Sequence, residues 1–175
     1  MTMICEAPVA SPTNLQQWFV LHTKSRQEKV LAADLSAMGI QYFLPLVEQV
    51  RFHGRRKVSI EMPMFPGYVF LRGTREEAFE ADRTRRLARI IDVSDQDQIA
   101  WELKQISFAL QQQAPLDPYP YLRNGLKVEV RAGPLRGLQG VIERRVRPDR
   151  LLLQIDMLGR AVGVEIDGAL LDPME

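Results

Sequence analysis

The side chains with which a chain does covalent or metal chemistry are few here and far apart. His22 lies inside an apolar run, His53 beside a glycine, and Cys5 near the N-terminus, so no Ser-His-Asp or Cys-His set can be read from the spacing. Two histidines and one cysteine cannot build a four-ligand site within one chain, and a lone thiol argues against a disulfide scaffold. The expectation is no metal and a reducing compartment. Gly133 to Gly140 is glycine-rich, but no Gly-Lys-Ser/Thr follows and no helix opens there, so nothing would cradle a triphosphate. The residues point to a protein that binds rather than catalyses: no enzyme and no cofactor.

What does cluster is positive charge. Arg51, Arg55, Arg56 and Lys57 occupy seven residues without an acid, and Arg83, Arg85, Arg86 and Arg89 form a second run. The whole chain is balanced, with 23 Lys and Arg against 22 Asp and Glu, so no global field draws it to nucleic acid. Any such contact must come from a local patch. The residues alone leave two readings of the first run open, a phosphate contact and a solvated loop.

These residues need elements to carry them. Met62 to Leu71 is opened by two prolines and a glycine and continues as Tyr68-Val69-Phe70-Leu71, which predicts a central strand buried on both faces. Before it, Trp18 to Leu21 reads as a strand that passes into a helix. Ser25 to Glu28 has capping-box spacing, Val30, Leu31, Leu35 and Met38 supply the apolar stripe, and Gly39 supplies the C-terminal cap. Gln41 to Leu46 returns as a strand. Val47 to Phe52 and Lys57 to Met62 alternate about His53-Gly54-Arg55 as a hairpin, whose tip carries the first basic run. Thr74 to Glu77 repeats the capping-box spacing ahead of a short helix, Leu87 to Val93 is a strand, and Ser94 to Gln113 is a helix with Ile99, Leu103, Ile106 and Leu110 on one face.

Pro115, Pro118 and Pro120 then interrupt any periodicity, predicting an extended, semi-stiff linker over 114–124 between two mobile parts. From Gly125 the period becomes two. Strands are expected at Leu126 to Arg131, Val141 to Val146, Leu151 to Asp156 and Ala161 to Ile166, with turns at Arg147-Pro148-Asp149 and Leu158-Gly159-Arg160. The expected fold is α+β: a mostly antiparallel sheet with helices over 17–113, followed by a small five-stranded β-barrel over 125–175. Residues 1–16 read as a flexible tail without signal-peptide character. No apolar run approaches the roughly 20 residues that span a bilayer, so a cytoplasmic protein is expected. With 175 residues and 46% apolar content the chain has enough for a real core.

Phe65-Pro66-Gly67-Tyr68 resembles the strand-opening motif of the bacterial NusG family of transcription elongation factors. Gly125 to Val130 together with Gly133 to Ile142 resembles the KOW motif, which that family shares with some large-subunit ribosomal proteins. The resemblance runs from about Trp18 to the C-terminus. It implies a NusG-type N-terminal domain joined to a KOW, SH3-like barrel, with no enzymatic activity. His22, Phe65, Tyr68 and Ile91 would line an apolar depression that takes the clamp helices of RNA polymerase, as a partner helix needs a groove with aromatic anchors. The residues themselves also allow Phe65 and Tyr68 to be plain core.

Lys24-Ser25-Arg26-Gln27-Glu28 is more similar to the specialised RfaH-type antitermination paralogues. In that branch Lys24, Arg26 and Lys29 would meet the non-template DNA strand, although Val30 and Asp34 fall where that branch reads DNA; Arg55, Arg56 and Lys57 of the hairpin tip remain a further nucleic-acid candidate on their charge alone. Leu158 and Arg160 sit in the loop by which the family's barrel holds other machinery. Leu158 replaces a phenylalanine there, which implies a weak contact with Rho and leaves a small-subunit ribosomal protein as a partner. Refolding of the barrel into helices would place Gly137, Gly140, Gly159 and Gly163 in or near helical turns at about 1 kcal/mol each, so a constitutive barrel in a monomeric protein is expected. The barrel by itself also fits an RNA-binding, ribosome-associated protein acting in translation.

Overall fold

The computed structural model describes residues 3–4, 16–142 and 149–174. The chain runs β1 (Met3–Ile4), β2 (Gln17–Thr23), α1 (Glu28–Ala37), β3 (Gln41–Leu44), β4 (Leu46–His53), β5 (Arg56–Pro63), β6 (Tyr68–Gly73), α2 (Arg75–Asp82) and β7 (Leu87–Asp92). It continues through α3 (Gln96–Gln111), β8 (Asp117–Tyr119), β9 (Leu126–Val130), β10 (Gln139–Ile142), β11 (Arg150–Ile155), β12 (Arg160–Glu165) and β13 (Leu171–Pro173). Two compact units result, Met1–Gln96 and Asp97–Glu175.

In the first unit the sheet order is β1-β3-β6-β2-β7, with every neighbouring pair antiparallel. Of the expected central strand Met62 to Leu71, only Tyr68 to Leu71 occupy the middle of the sheet, where Val69, Phe70 and Leu71 have no exposed surface and demand cover on both faces, while Met62 and Pro63 end β5. Alternation then divides the side chains. Phe19, Leu21, Tyr42, Leu44, Val69 and Leu71 point to one face, where Leu31, Ala32 and Leu35 of α1 and Ala78 and Ala81 of α2 close the core. Both helices end as their sequences dictate. Gly39, at φ 71, closes α1 with bonds from Gly39 N to Ser36 O at 3.1 Å and from Ile40 N to Leu35 O at 3.0 Å, the paired pattern of a Schellman cap. Thr74 and Glu77 form the expected reciprocal capping box at the start of α2.

The other expected capping box does not form. α1 begins at Glu28 with Gln27 as its N-cap and no side-chain cap, because the Glu28 carboxylate is committed elsewhere, as described below. Met3–Ile4, inside the stretch read as a tail, add a short edge strand to β3. The rest of that tail, residues 5–15 with Cys5, lies outside the described residues.

β4 and β5 form a separate two-stranded ribbon with continuous register from Leu46↔Pro63 to His53↔Arg56, turned through Gly54 at φ 64. Every residue from 48 to 57 is exposed.

The second unit is one antiparallel sheet of order β13-β9-β10-β11-β12-β8. Its buried side chains are Val128, Val130, Leu138, Leu151, Leu152, Leu153, Ile155, Val162 and Val164. Two features differ from the sequence expectation. The proline-rich stretch is not a bare connector, since β8 pairs with β12 through Tyr119↔Ala161 and Pro118↔Val162. Pro118 fits there because β8 is an edge strand and one side of its ladder needs no donor. Farther along, the Gln154 amide accepts from Leu122 N at 3.1 Å and donates to Leu122 O at 3.0 Å. The second feature is α3, which belongs with this unit and is tied to the sheet by polar side chains. The predicted strand residues 143–146 and the turn at 147–148 lie outside the described residues. No helix of the described residues is long and apolar enough to cross a membrane.

Candidate functional site

Strand register brings three of the expected contact residues onto the sheet face opposite α1 and α2. His22 of β2 is paired with Tyr68 of β6, and their rings stack with centroids 5.2 Å apart and planes 21° from parallel. On the other side of β2, Val20 pairs with Ile91 of β7 and His22 with Arg89. A register shift follows between His22 and Thr23, and the pairing resumes as Thr23↔Leu87, so the strand end is re-aimed where the site lies. His22, Tyr68 and Ile91 are each half-buried, with surface left for a partner.

Phe65 departs from the expectation. It is only 3% exposed and meets Phe70 edge-on at a centroid distance of 6.3 Å. The cause is local: Tyr68 N bonds to Phe65 O at 3.2 Å around Gly67, at φ 88, and this turn folds the Phe65 ring inward. Phe65 therefore supports the surface that Tyr68 presents.

The turn is itself held from α1. Gly67 N donates to Glu28 Oε1 at 2.8 Å, and Thr23 N donates to Gly67 O at 2.8 Å. Glu28 is 8% exposed, and a carboxylate accepting a backbone N–H is one of the stronger ways to fix a loop. Nothing in the sequence separated this use of Glu28 from a helix cap, because the partner is 39 residues away.

Beside this turn a cleft of about 650 Å³ lies between the base of the ribbon and the start of α1, lined by His22, Arg26, Lys29, Arg51, Met62 and Gly67 among others. The basic residues have distinct states. Lys29 Nζ donates to Glu61 O and Lys24 Nζ to Arg85 O at 2.8 Å, so both ammonium groups also brace backbone. Arg26 is exposed in the left-handed region at φ 60. Arg55, Arg56 and Lys57 are exposed at the ribbon tip. Of the second arginine run, Arg86 is structural: its Nε donates to Asp34 Oδ2 at 2.6 Å and its Nη1 to Gln27 Oε1 at 2.8 Å. That bond also occupies Asp34.

In the second unit Leu158 is half-exposed in a single turn of 3₁₀ helix over Asp156–Leu158, which Gly159 ends at φ 59, and Arg160 follows exposed at the start of β12. The turn is anchored by Asp156, whose N–H donates to Glu102 Oε1 at 3.0 Å and whose Oδ1 accepts from the Tyr121 hydroxyl at 3.1 Å. Burial, reinforced by that bond to Asp156, pushes the Tyr121 hydroxyl above the usual phenol range, so it remains a donor at neutral pH. Among the described residues no group of three or more His, Cys, Asp or Glu could hold a metal ion.

The family model described as transcription termination factor nusG matches residues 16–106, more than half of the chain, and the chain belongs to the NusG family. That is a family of transcription elongation and termination factors that bind RNA polymerase. The match spans every strand of the first sheet except β1, includes the stacked His22–Tyr68 pair, and ends inside α3. No curated protein matches the chain.

Proposed function

We propose that the chain is an RfaH-like elongation and antitermination factor of the NusG family. It acts in the cytoplasm and docks on the clamp helices of RNA polymerase through His22, Tyr68 and Ile91, with Phe65 packed beneath them. The observation that carries this reading is the stacked, half-exposed His22–Tyr68 pair on the sheet face away from α1 and α2. A partner helix needs such an aromatic anchor at the centre of its groove. Arg26, with Lys24 and Lys29 beside the cleft, supports a contact to the non-template strand. Within the second unit, residues 125–175 act as a KOW barrel that takes a small-subunit ribosomal protein through the loop of Leu158 and Arg160. Rho binds it weakly, because an aliphatic anchor lacks the stacking term of an aromatic one, about 0.5 to 1.5 kcal/mol. On this reading the functional N-terminal domain runs over 17–113, beyond the compact unit that ends at Gln96, and 114–124, with β8 inside it, is the connection.

The test is binding of core polymerase by the full chain carrying His22→Ala and Tyr68→Ala. Truncating central aromatic anchors costs about 2 kcal/mol each, so affinity falls by a factor of several hundred while the circular dichroism spectrum is retained. A folded double variant with unchanged affinity removes this docking surface. Co-sedimentation of the wild type with ribosomes and not with polymerase would favour the translational reading instead.

A further inference from the structure

The proposed function leaves the most exposed aromatic side chain of the molecule without a role. Phe52 is 69% exposed, more than any other large apolar residue among those described, and Val50, two residues earlier and hence on the same face of β4, is 48% exposed. An isolated exposed apolar residue is ordinary. Two in succession on a two-stranded ribbon whose residues 48 to 57 are all exposed form a continuous apolar strip. Phe52 pairs directly with Lys57 across the ribbon and Arg55 lies in the turn beyond them, while Arg51 and Arg56 project from the opposite face, where Arg51 donates to Met62 Sδ at 3.7 Å. The acids of the ribbon, Glu48 and Glu61, face each other nearer its base, where Glu48 also takes a bond from Ser59.

We propose that the tip of the β4–β5 ribbon is a single-stranded DNA contact in which Phe52 stacks on an unpaired base while Lys57, its cross-strand partner on the same face, and Arg55 of the turn hold the neighbouring phosphates. An aromatic platform set among cations, with no acid beside it, is the combination that binds single strands without reading sequence. A purely electrostatic patch has no use for the ring, and a purely apolar docking site has no use for the cations beside it. The side chains sharing the face of Phe52 at the tip are Val50, Lys57 and Ser59, with no carboxylate or amide there to select a 2′-hydroxyl, which favours DNA over RNA. The inference deepens the nucleic-acid part of the proposed function and rests on it. The polymerase contact through His22 and Tyr68 stands or falls separately.

The experiment is fluorescence anisotropy of the full chain with labelled oligo-dT of about 15 nucleotides, a length that suits a site of this kind, titrated across salt and beside the matching oligo-U. Phe52→Ala weakens dT binding about tenfold and leaves the salt slope unchanged. The double change Arg55→Ala, Lys57→Ala lowers the slope by about 1.4, as expected for two single-strand phosphates. Phe52→Trp keeps the affinity, and its added indole fluorescence is quenched on saturation with dT. The proposal is overturned if Phe52→Ala binds dT like the wild type, if the wild type binds no dT at low salt, or if oligo-U is preferred tenfold. It is also overturned if Phe52→Ala instead weakens binding to nucleic-acid-free core polymerase with dT affinity intact. That last outcome makes the tip a protein contact and leaves the His22–Tyr68 reading untouched.

Discussion

α1 and α3 both bury apolar side chains, Leu31, Ala32 and Leu35 on the first and Ile99, Leu103, Ile106 and Ala109 on the second, and α3 adds to them a set of buried polar bonds to its sheet. α1 buries Leu31, Ala32 and Leu35 in a continuous apolar cluster with Phe19, Leu21, Val69 and Leu71. α3 reaches the second sheet with buried polar side chains. Gln105 Oε1 accepts from Gln139 N at 2.9 Å, Trp101 Nε1 donates to Gln139 Oε1 at 3.0 Å, and Glu102, 3% exposed, accepts from Asp156 N and from Gln98 Nε2. Apolar contact is non-directional and scales with area, so it fixes that a helix packs but only loosely where. A buried hydrogen bond must be made in one register or its groups are left unpaired. Both helices therefore gain stability from apolar burial, and the polar bonds of α3 add position for the Asp156–Leu158 turn that they tether.

Breaking the first seam gives the largest effect. Leu35→Ala, at a fully buried position, costs about 3 kcal/mol. Hydrogen exchange followed by mass spectrometry should find the loss in residues 16–96, with protection of β9 to β12 nearly unchanged. The shape-conserving swap separates the two seams more sharply. Leu35→Met costs less than about 1.5 kcal/mol, whereas Gln105→Met, also close in volume, leaves Gln139 N without its acceptor and costs about 2 kcal/mol. Equal tolerance of the two methionines in urea unfolding would show that the α3 seam is held by area alone.

The smallest effect tests position without stability. Glu28→Gln keeps an acceptor for Gly67 N but removes the charge that strengthens the bond, and costs about 1 kcal/mol or less. On the proposed function it also loosens the turn under Tyr68 and lowers polymerase affinity a few-fold, although Glu28 touches no partner. An unchanged affinity for core polymerase would confine Glu28 to holding the fold.

Much of the molecule was legible because the signals were local. Thr74 and Glu77 are three residues apart and cap the helix they precede. Gly39 ends α1, the ribbon turns at Gly54, and the apolar run at Val69 to Leu71 takes the centre of the sheet. Each follows from bonds or burial demands that span a few residues, which composition and spacing report directly. The expected contact residues His22, Tyr68 and Ile91 do share a face, since strand alternation fixes the side on which each one projects.

What the sequence could not determine was which of two chemically equal partners a side chain would choose. Ser25 to Glu28 has the same spacing as Thr74 to Glu77, yet Glu28 binds Gly67 N, because folding brings that donor within reach of a largely buried carboxylate. Phe65 and Tyr68 both look like anchors, and the turn at Gly67 buries one and presents the other. The prolines of 114–124 forbid a helix, but only the unfilled edge of β12 makes β8 a strand. In each case the deciding term is a contact across tens of residues, and it exists only after the chain has closed on itself.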